Sequence, residues 1–372
     1  MHSNDVRLGN IPEVSVTEAV SKLSGMYSGF IRKSIDLSNV PSVMLWGPPG
    51  IGKSQAVFQI ADRLASDTGM KVKVTDIRLL LYNPVDLRGI PTADKDRTNA
   101  VWLRPQIFDL DSSDDVVNIL FLDEISAAPQ SVQAAAYQIT LDHKVGEHRL
   151  PENCIVIAAG NRVTDKSVAY KMPKALSNRM MHFEIGSSAE DWGKWAVSKG
   201  INEKITGFLS FRPDYLMCFD SSNDELAYPT PRSWEMASNI LNTVSDDIDE
   251  VFTLLAGIIG SGTASEMRAW FRIYDRLPSA KDIFDGKNPD VPKGMDAMYA
   301  LISAMTSYAK EHDDDLDGIR NAIIYVNDMP PDFSTVFVKN LMSLKDDYKL
   351  TLMQIPEFMS WIRTRGKLIN GI

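Results

Sequence analysis

Two short segments of this sequence carry residue types whose spacing can do chemistry. Gly47, Pro48, Pro49, Gly50, Ile51, Gly52, Lys53 and Ser54 fit the pattern G-x-x-x-x-G-K-[ST] without a mismatch. Glycines at these positions let main-chain N–H groups turn inward around a run of phosphates. A helix opening near Lys53 adds the positive end of its dipole. In such a loop Lys53 reaches the β- and γ-phosphates and the Ser54 hydroxyl ligates Mg²⁺. Gln55, next on the helix, is grouped with them as nucleotide-binding. About seventy residues further on, Leu120-Phe121-Leu122-Asp123-Glu124 ends an apolar run in two adjacent carboxylates. Strand ends at the carboxyl edge of a parallel sheet face the ligand crevice. There Asp123 can hold Mg²⁺ through its water shell, and Glu124 can act as general base on an attacking water. Taken singly, the first segment is also a Gly/Pro turn that binds nothing, and the second a pair of solvated acids. Their occurrence together, each in its expected setting, favours the chemical reading.

The elements around these segments must place them at one edge of a sheet. Val43-Met44-Leu45-Trp46 runs straight into Gly47 and reads as a buried strand ending in a loop. A helix is predicted over Lys53 to Leu64, with Ala56, Val57, Ile60, Ala61 and Leu64 on one face. Strands are predicted at Lys71 to Leu79, Val116 to Leu122, Cys154 to Ala159 and Met181 to Ile185, with a further helix at Ser131 to Leu141. Strands apolar on both faces and separated by helices indicate an α/β domain with a parallel sheet covered on both sides. Ahead of it, Ser15 to Ile35 reads as a helix opened by a Ser15–Glu18 capping box. After Gly186 the strand signals stop. Helices are expected at Trp192 to Ser198, Glu203 to Leu209, Ser233 to Leu241 and Asp247 to Ile259, and the last hundred residues read as mostly helical. The expected organisation is an N-terminal helical segment (1–40), an α/β nucleotide-binding domain (41–186), an α-helical lid (187–260) and a helical C-terminal region (261–372).

The 372 residues supply ample core material for such a chain, with 44% hydrophobic and 24% charged side chains. Only two cysteines are present, which excludes a disulfide framework and fits a reducing, cytoplasmic setting. No signal peptide is read at the N-terminus, and the longest apolar run, in Val251 to Ala264, is too short to span a bilayer. A net charge of −10 argues against a surface that wraps nucleic acid, although a local basic rim stays compatible with it.

The phosphate loop, Leu122-Asp123-Glu124, the strand end Ala158-Ala159-Gly160-Asn161-Arg162 and the segment Ser177-Asn178-Arg179 together resemble the AAA+ ATPases. More narrowly, Asn83 to Pro91, the run Ser131 to Leu150 and Thr230 to Glu235 resemble the MoxR-like, dynein-related AAA branch. The resemblance implies a P-loop NTPase that hydrolyses ATP with Mg²⁺ in a homo-hexameric ring and remodels or activates a protein client, of the kind that carries a von Willebrand factor A domain. It implies that Asn161 is the sensor that orients the attacking water. It also implies that Arg179 is a finger reaching the γ-phosphate held by a neighbouring subunit, and that Arg232 senses nucleotide from the lid. Asp86 to Pro105 resembles the second-helix insertion that marks this branch, a hairpin that could contact a substrate in a ring's central pore, and Lys144 to Leu150 resembles the hairpin that precedes the sensor Asn161; both also read as ordinary surface loops.

Other signals are set aside. His143 and His148 lack the partners and spacing of a zinc site. Asp313, Asp315 and Asp317 open like a calcium loop, but its twelfth position is Ile324, so the bidentate acid is missing. Trp192 and Trp195 read as lid core. Two other functions stay open: a nucleic-acid-associated or restriction-type AAA+ motor, and a nucleotide-gated interaction module with low turnover. No Asn-Lys-x-Asp motif argues for GTP over ATP.

Overall fold

A computed structural model describes residues 11–162, 165, 172, 177–220, 225–274, 276–345 and 348–368. The first ten residues of the N-terminal segment, and Leu176 ahead of Ser177, lie outside the described residues. The chain divides into two compact units, with the main boundary between Ser187 and Ser188.

The first unit is built on β1 (Glu13–Val14), α1 (Val16–Arg32), β2 (Val43–Trp46), α2 (Lys53–Thr68), β3 (Lys71–Arg78), α3 (Pro84–Arg88), β4 (Ile90–Ala93), β5 (Ala100–Leu103), β6 (Val116–Asp123), α4 (Gln130–Asp142), β7 (Lys144–Val145), β8 (His148–Arg149), β9 (Cys154–Gly160) and β10 (Met181–Ile185). Six of the strands form one sheet in the order β1-β10-β2-β9-β6-β3, and every pairing in it is parallel. Side chains alternate across the strands. Met44, Leu120, Leu122, Val156 and Ala158 cluster with Val132, Ala135, Ala136 and Ile139 of α4 on one face. The alternate residues Val43, Leu45, Ile119, Phe121, Ile155 and Ile157 are equally buried, and α2 packs there, backed by α1. Both faces are therefore dry, which is why these strands read as unbroken apolar runs.

The segment ahead of residue 41 contributes to this unit directly. Glu13–Val14 pairs with Glu184–Ile185 at the sheet edge, and α1 lies against α2. Ser15 caps α1 by accepting from the Glu18 N–H, as the capping signal predicts. The helix stops at Arg32, three residues short of the predicted Ile35. Both expected hairpins form: β4 pairs with β5 around a turn in which Asp94 accepts four hydrogen bonds from Thr98 and Asn99, and β7 pairs with β8.

The second unit is helical. Its described helices include Ala189–Lys199, Glu203–Phe211, Pro231–Thr243, Ile248–Ile259, Ser261–Tyr274 and Met295–Glu311. Phe208, Trp234, Leu255, Met267 and Trp270 share one buried cluster; a second holds Met305, Ile323, Phe337 and Trp361. Residues on both sides of position 260 therefore build the same core. The apolar faces of Glu203–Phe211 and Pro231–Thr243 need Ser261–Tyr274 to cover them. Asp315 caps the helix Leu316–Asn327 by accepting from Gly318 N–H, so the false calcium loop is a helix start. Among the described residues, no helix is long and apolar enough to cross a membrane.

Candidate active site

β2 brings the chain to Gly47 and α2 leads it away from Lys53, so the loop lies between a central strand and a helix N-terminus. Gly50 (φ +77°) and Gly52 (φ +108°) take backbone conformations that a side chain would strain. Gly52 is also the N-cap of α2 and has no side chain to cap it. An anion placed there would meet the N–H groups of the first turn. A Cβ at Gly52 would stand 3.3 Å from Val16 Cγ2, so the start of α1 packs against the loop.

Lys53 is buried. Its ammonium donates to Gly47 O at 2.7 Å and Pro48 O at 3.1 Å, and crosses to Asn161 Oδ1 at 2.9 Å. Ser54 Oγ donates to Asp123 Oδ2 at 2.9 Å. Four candidates from three separate parts of the chain thus converge because β2, β9 and β6 are adjacent in the sheet and end at the same edge. Glu124 follows with φ +59°, a left-handed conformation that costs a non-glycine residue about 1–3 kcal/mol. The surroundings hold it there: its N–H donates to Asp123 Oδ1 at 2.8 Å, its carbonyl accepts from Ala127 and Ala128 N–H, and Ile125 N–H donates to Ala159 O of β9. Backbone strain pinned on all sides at a strand end is a feature of functional sites.

Several residues around this edge escape the sequence motifs. Ser126 Oγ accepts from the Asn161 N–H at 2.9 Å and so fixes where the Asn161 side chain starts. Gly160 leaves room for it, since a Cβ there would come within 2.8 Å of Ser126 Oγ and of Met44 Cε. On β3, Arg78 stands in register with Asp123. Burial, followed by the negative charge of Asp123, raises the Asp76 pKa, with Arg78 opposing the shift.

Arg162, directly after Asn161, donates from Nε to Asp165 at 2.9 Å and from NH1 to Glu184 of β10 at 2.6 Å. Both carboxylates are buried, and the guanidinium is only 14% exposed. Burial alone would lower the Arg162 pKa, but hydrogen bonding to Glu184 and the charge of Asp165 carry it above its usual value. Removing one partner of a buried ion pair typically costs about 3–5 kcal/mol, because the other charge is stranded. Arg162→Met is therefore expected to lower the unfolding free energy by about 3–5 kcal/mol, read from denaturant titration. A loss below the error of that titration would mean that the two carboxylates find other partners.

Arg179 is exposed at the third position of the turn Ser177–Met180, closed by Met180 N–H to Ser177 O at 3.4 Å. Arg232 is exposed in the first turn of Pro231–Thr243, whose N-cap Thr230 forms a capping box with Ser233. It belongs to the helical unit, whereas the loop, Asp123, Glu124, Asn161 and Arg179 belong to the α/β unit. Gln55 is exposed on α2.

The donor set suits Mg²⁺. Ser54 and Asp123 offer a hydroxyl and a carboxylate within 2.9 Å of each other. Among the described residues no group of three or more His, Cys, Asp or Glu is placed to hold a metal. Mg²⁺ is usually bound this way, by one or two protein oxygens with phosphate and water completing the shell.

Residues 42–182 match the model of the ATPase family associated with various cellular activities (AAA). No curated protein matches the chain. Among solved structures, the chain is similar to a point mutant of RuvB from Thermotoga maritima, at 16% identity over 78% of this chain and 84% of that one, with a TM-score of 0.37. It is also similar to a chain of the HORMA:CdnC:Trip13 complex of E. coli MS115-1, at 15% identity over 69% of this chain and 88% of that one, again with a TM-score of 0.37.

Proposed function

We propose that this chain, an AAA+ P-loop NTPase in fold, is a Mg²⁺-dependent ATPase that works as a homo-hexameric ring of the MoxR-like type and remodels a protein client. The observation that carries the ATPase reading is the pair of hydrogen bonds Lys53–Asn161 and Ser54–Asp123, which gather the phosphate-binding and strand-end residues at one sheet edge. Gly47 to Gln55 hold the triphosphate through main-chain N–H groups, the α2 N-terminus and the Lys53 charge. Mg²⁺, when bound by Ser54 and Asp123, neutralises charge on the phosphate oxygens. Glu124 takes a proton from the attacking water and Asn161 orients that water. Arg179, exposed on its turn, serves the site of a neighbouring subunit, and Arg232 serves nucleotide sensing from the helical unit. The net charge of −10 favours a protein client over a nucleic acid.

The test is ATP turnover by mixed assemblies. Arg179→Ala should lower ATPase by about 10³- to 10⁵-fold, the contribution of an arginine finger. Mixing those subunits with Glu124→Gln subunits should restore turnover, because the hybrid sites pair an intact base with an intact finger. Full activity of Arg179→Ala as a monomer in sedimentation would defeat the ring reading.

A further inference from the structure

The turn that carries Arg179 is held by a side chain outside every motif above. Ser177 O, which closes that turn, also accepts from His182 Nε2 at 2.6 Å. The other ring nitrogen, Nδ1, stands 3.0 Å from the indole nitrogen of Trp46. Indole N–H only donates, so Nδ1 must be the acceptor and the proton must sit on Nε2. The imidazole is thus held as one neutral tautomer with both nitrogens committed. The two rings lie edge to edge and nearly coplanar, with centroids 6.2 Å apart and planes 19° apart. Trp46 is the last residue of β2, directly before Gly47, and His182 is the second residue of the neighbouring β10. A short path therefore runs from the first residue of the phosphate loop through Trp46, His182 and Ser177 O to the turn on which Arg179 is exposed.

We propose that His182 is a positioning residue for Arg179: bridging Trp46 and the Ser177 carbonyl, it fixes the turn that offers Arg179 to the adjoining subunit and ties that turn to the strand entering the phosphate loop. The proposal rests on the in-trans role given to Arg179 above. His182 touches no nucleotide; it acts through the backbone of the turn. Its loss leaves the Arg179 side chain intact but poorly placed, so its effect falls on the neighbour's turnover and not on nucleotide affinity in its own subunit.

The experiment compares His182→Leu, which loses both hydrogen bonds, with His182→Gln, whose amide can still donate to Ser177 O. A misplacement of about 1 Å at a reacting group costs roughly a hundredfold in rate, so kcat of His182→Leu assemblies should fall by about ten- to a hundredfold. KM for ATP and the hexamer fraction should stay within about twofold, as expected of an interaction made only in the transition state. His182→Gln should recover most of the loss. Mixing His182→Leu with Glu124→Gln subunits should restore turnover, as with Arg179→Ala. Unchanged kcat in His182→Leu would overturn the proposal. So would a loss that the Glu124→Gln subunits fail to rescue while Arg179→Ala is rescued, because the defect would then lie in the variant's own site. Should Arg179→Ala itself go unrescued, the in-trans reading falls and the proposal falls with it.

Discussion

Lys53→Ala will abolish ATP binding at micromolar nucleotide. Charge-assisted hydrogen bonds are worth about 1.5–3 kcal/mol each, so losing contacts to two phosphates weakens binding by at least about a hundredfold. The buried ammonium also bridges Gly47 O, Pro48 O and Asn161 Oδ1. The substitution therefore loosens the loop and frees the Asn161 side chain together. Lys53→Met keeps the apolar stem but not the ammonium, so it should recover only the packing share of any lost thermal stability and none of the affinity. Calorimetric titration of both variants with ATP and Mg²⁺ checks this. An affinity equal to that of the unaltered protein in either variant would remove the loop from nucleotide binding.

Glu124→Gln should bind ATP and hardly turn it over. The amide keeps the shape of the side chain, and the contacts that pin its left-handed backbone are all main-chain bonds or come from Asp123. The local structure should therefore survive. What is lost is the proton acceptor, a change of about 10²- to 10⁴-fold in rate. Single-turnover kinetics should show the loss in the chemical step, with ATP retained on the protein. Turnover equal to that of the unaltered protein would take the base role from Glu124. If the chain works as the proposed ring, the same variant held with ATP should retain a client, since blocked hydrolysis would stop the proposed remodelling cycle.

The spacing of Gly47 to Ser54 and the acids ending β6 were legible because each sits within one strand–loop–helix stretch. Local backbone requirements and apolar runs dictate such stretches without help from the rest of the chain. The central strands were legible for the same reason, since burial on both faces leaves an uninterrupted apolar signature. The two-residue edge strand Glu13–Val14 left no such trace: a strand that short has no periodicity and exists only because β10 offers it an edge. The division of the helical region was also set by packing, since Met267 and Trp270 complete a core begun by Phe208 and Trp234.

Around the site, the sequence by itself nominates the residues proposed to bind phosphate, hold a cation and accept a proton. Only the tertiary structure decided what holds them in place. Asn161 meets Lys53 across 108 positions of chain, Arg162 meets Glu184 across 22, and Trp46 meets His182 across 136. Single polar residues have no periodicity to announce them. Their partners are chosen by strand order, through the burial of apolar faces far from the polar atoms that are thereby brought together.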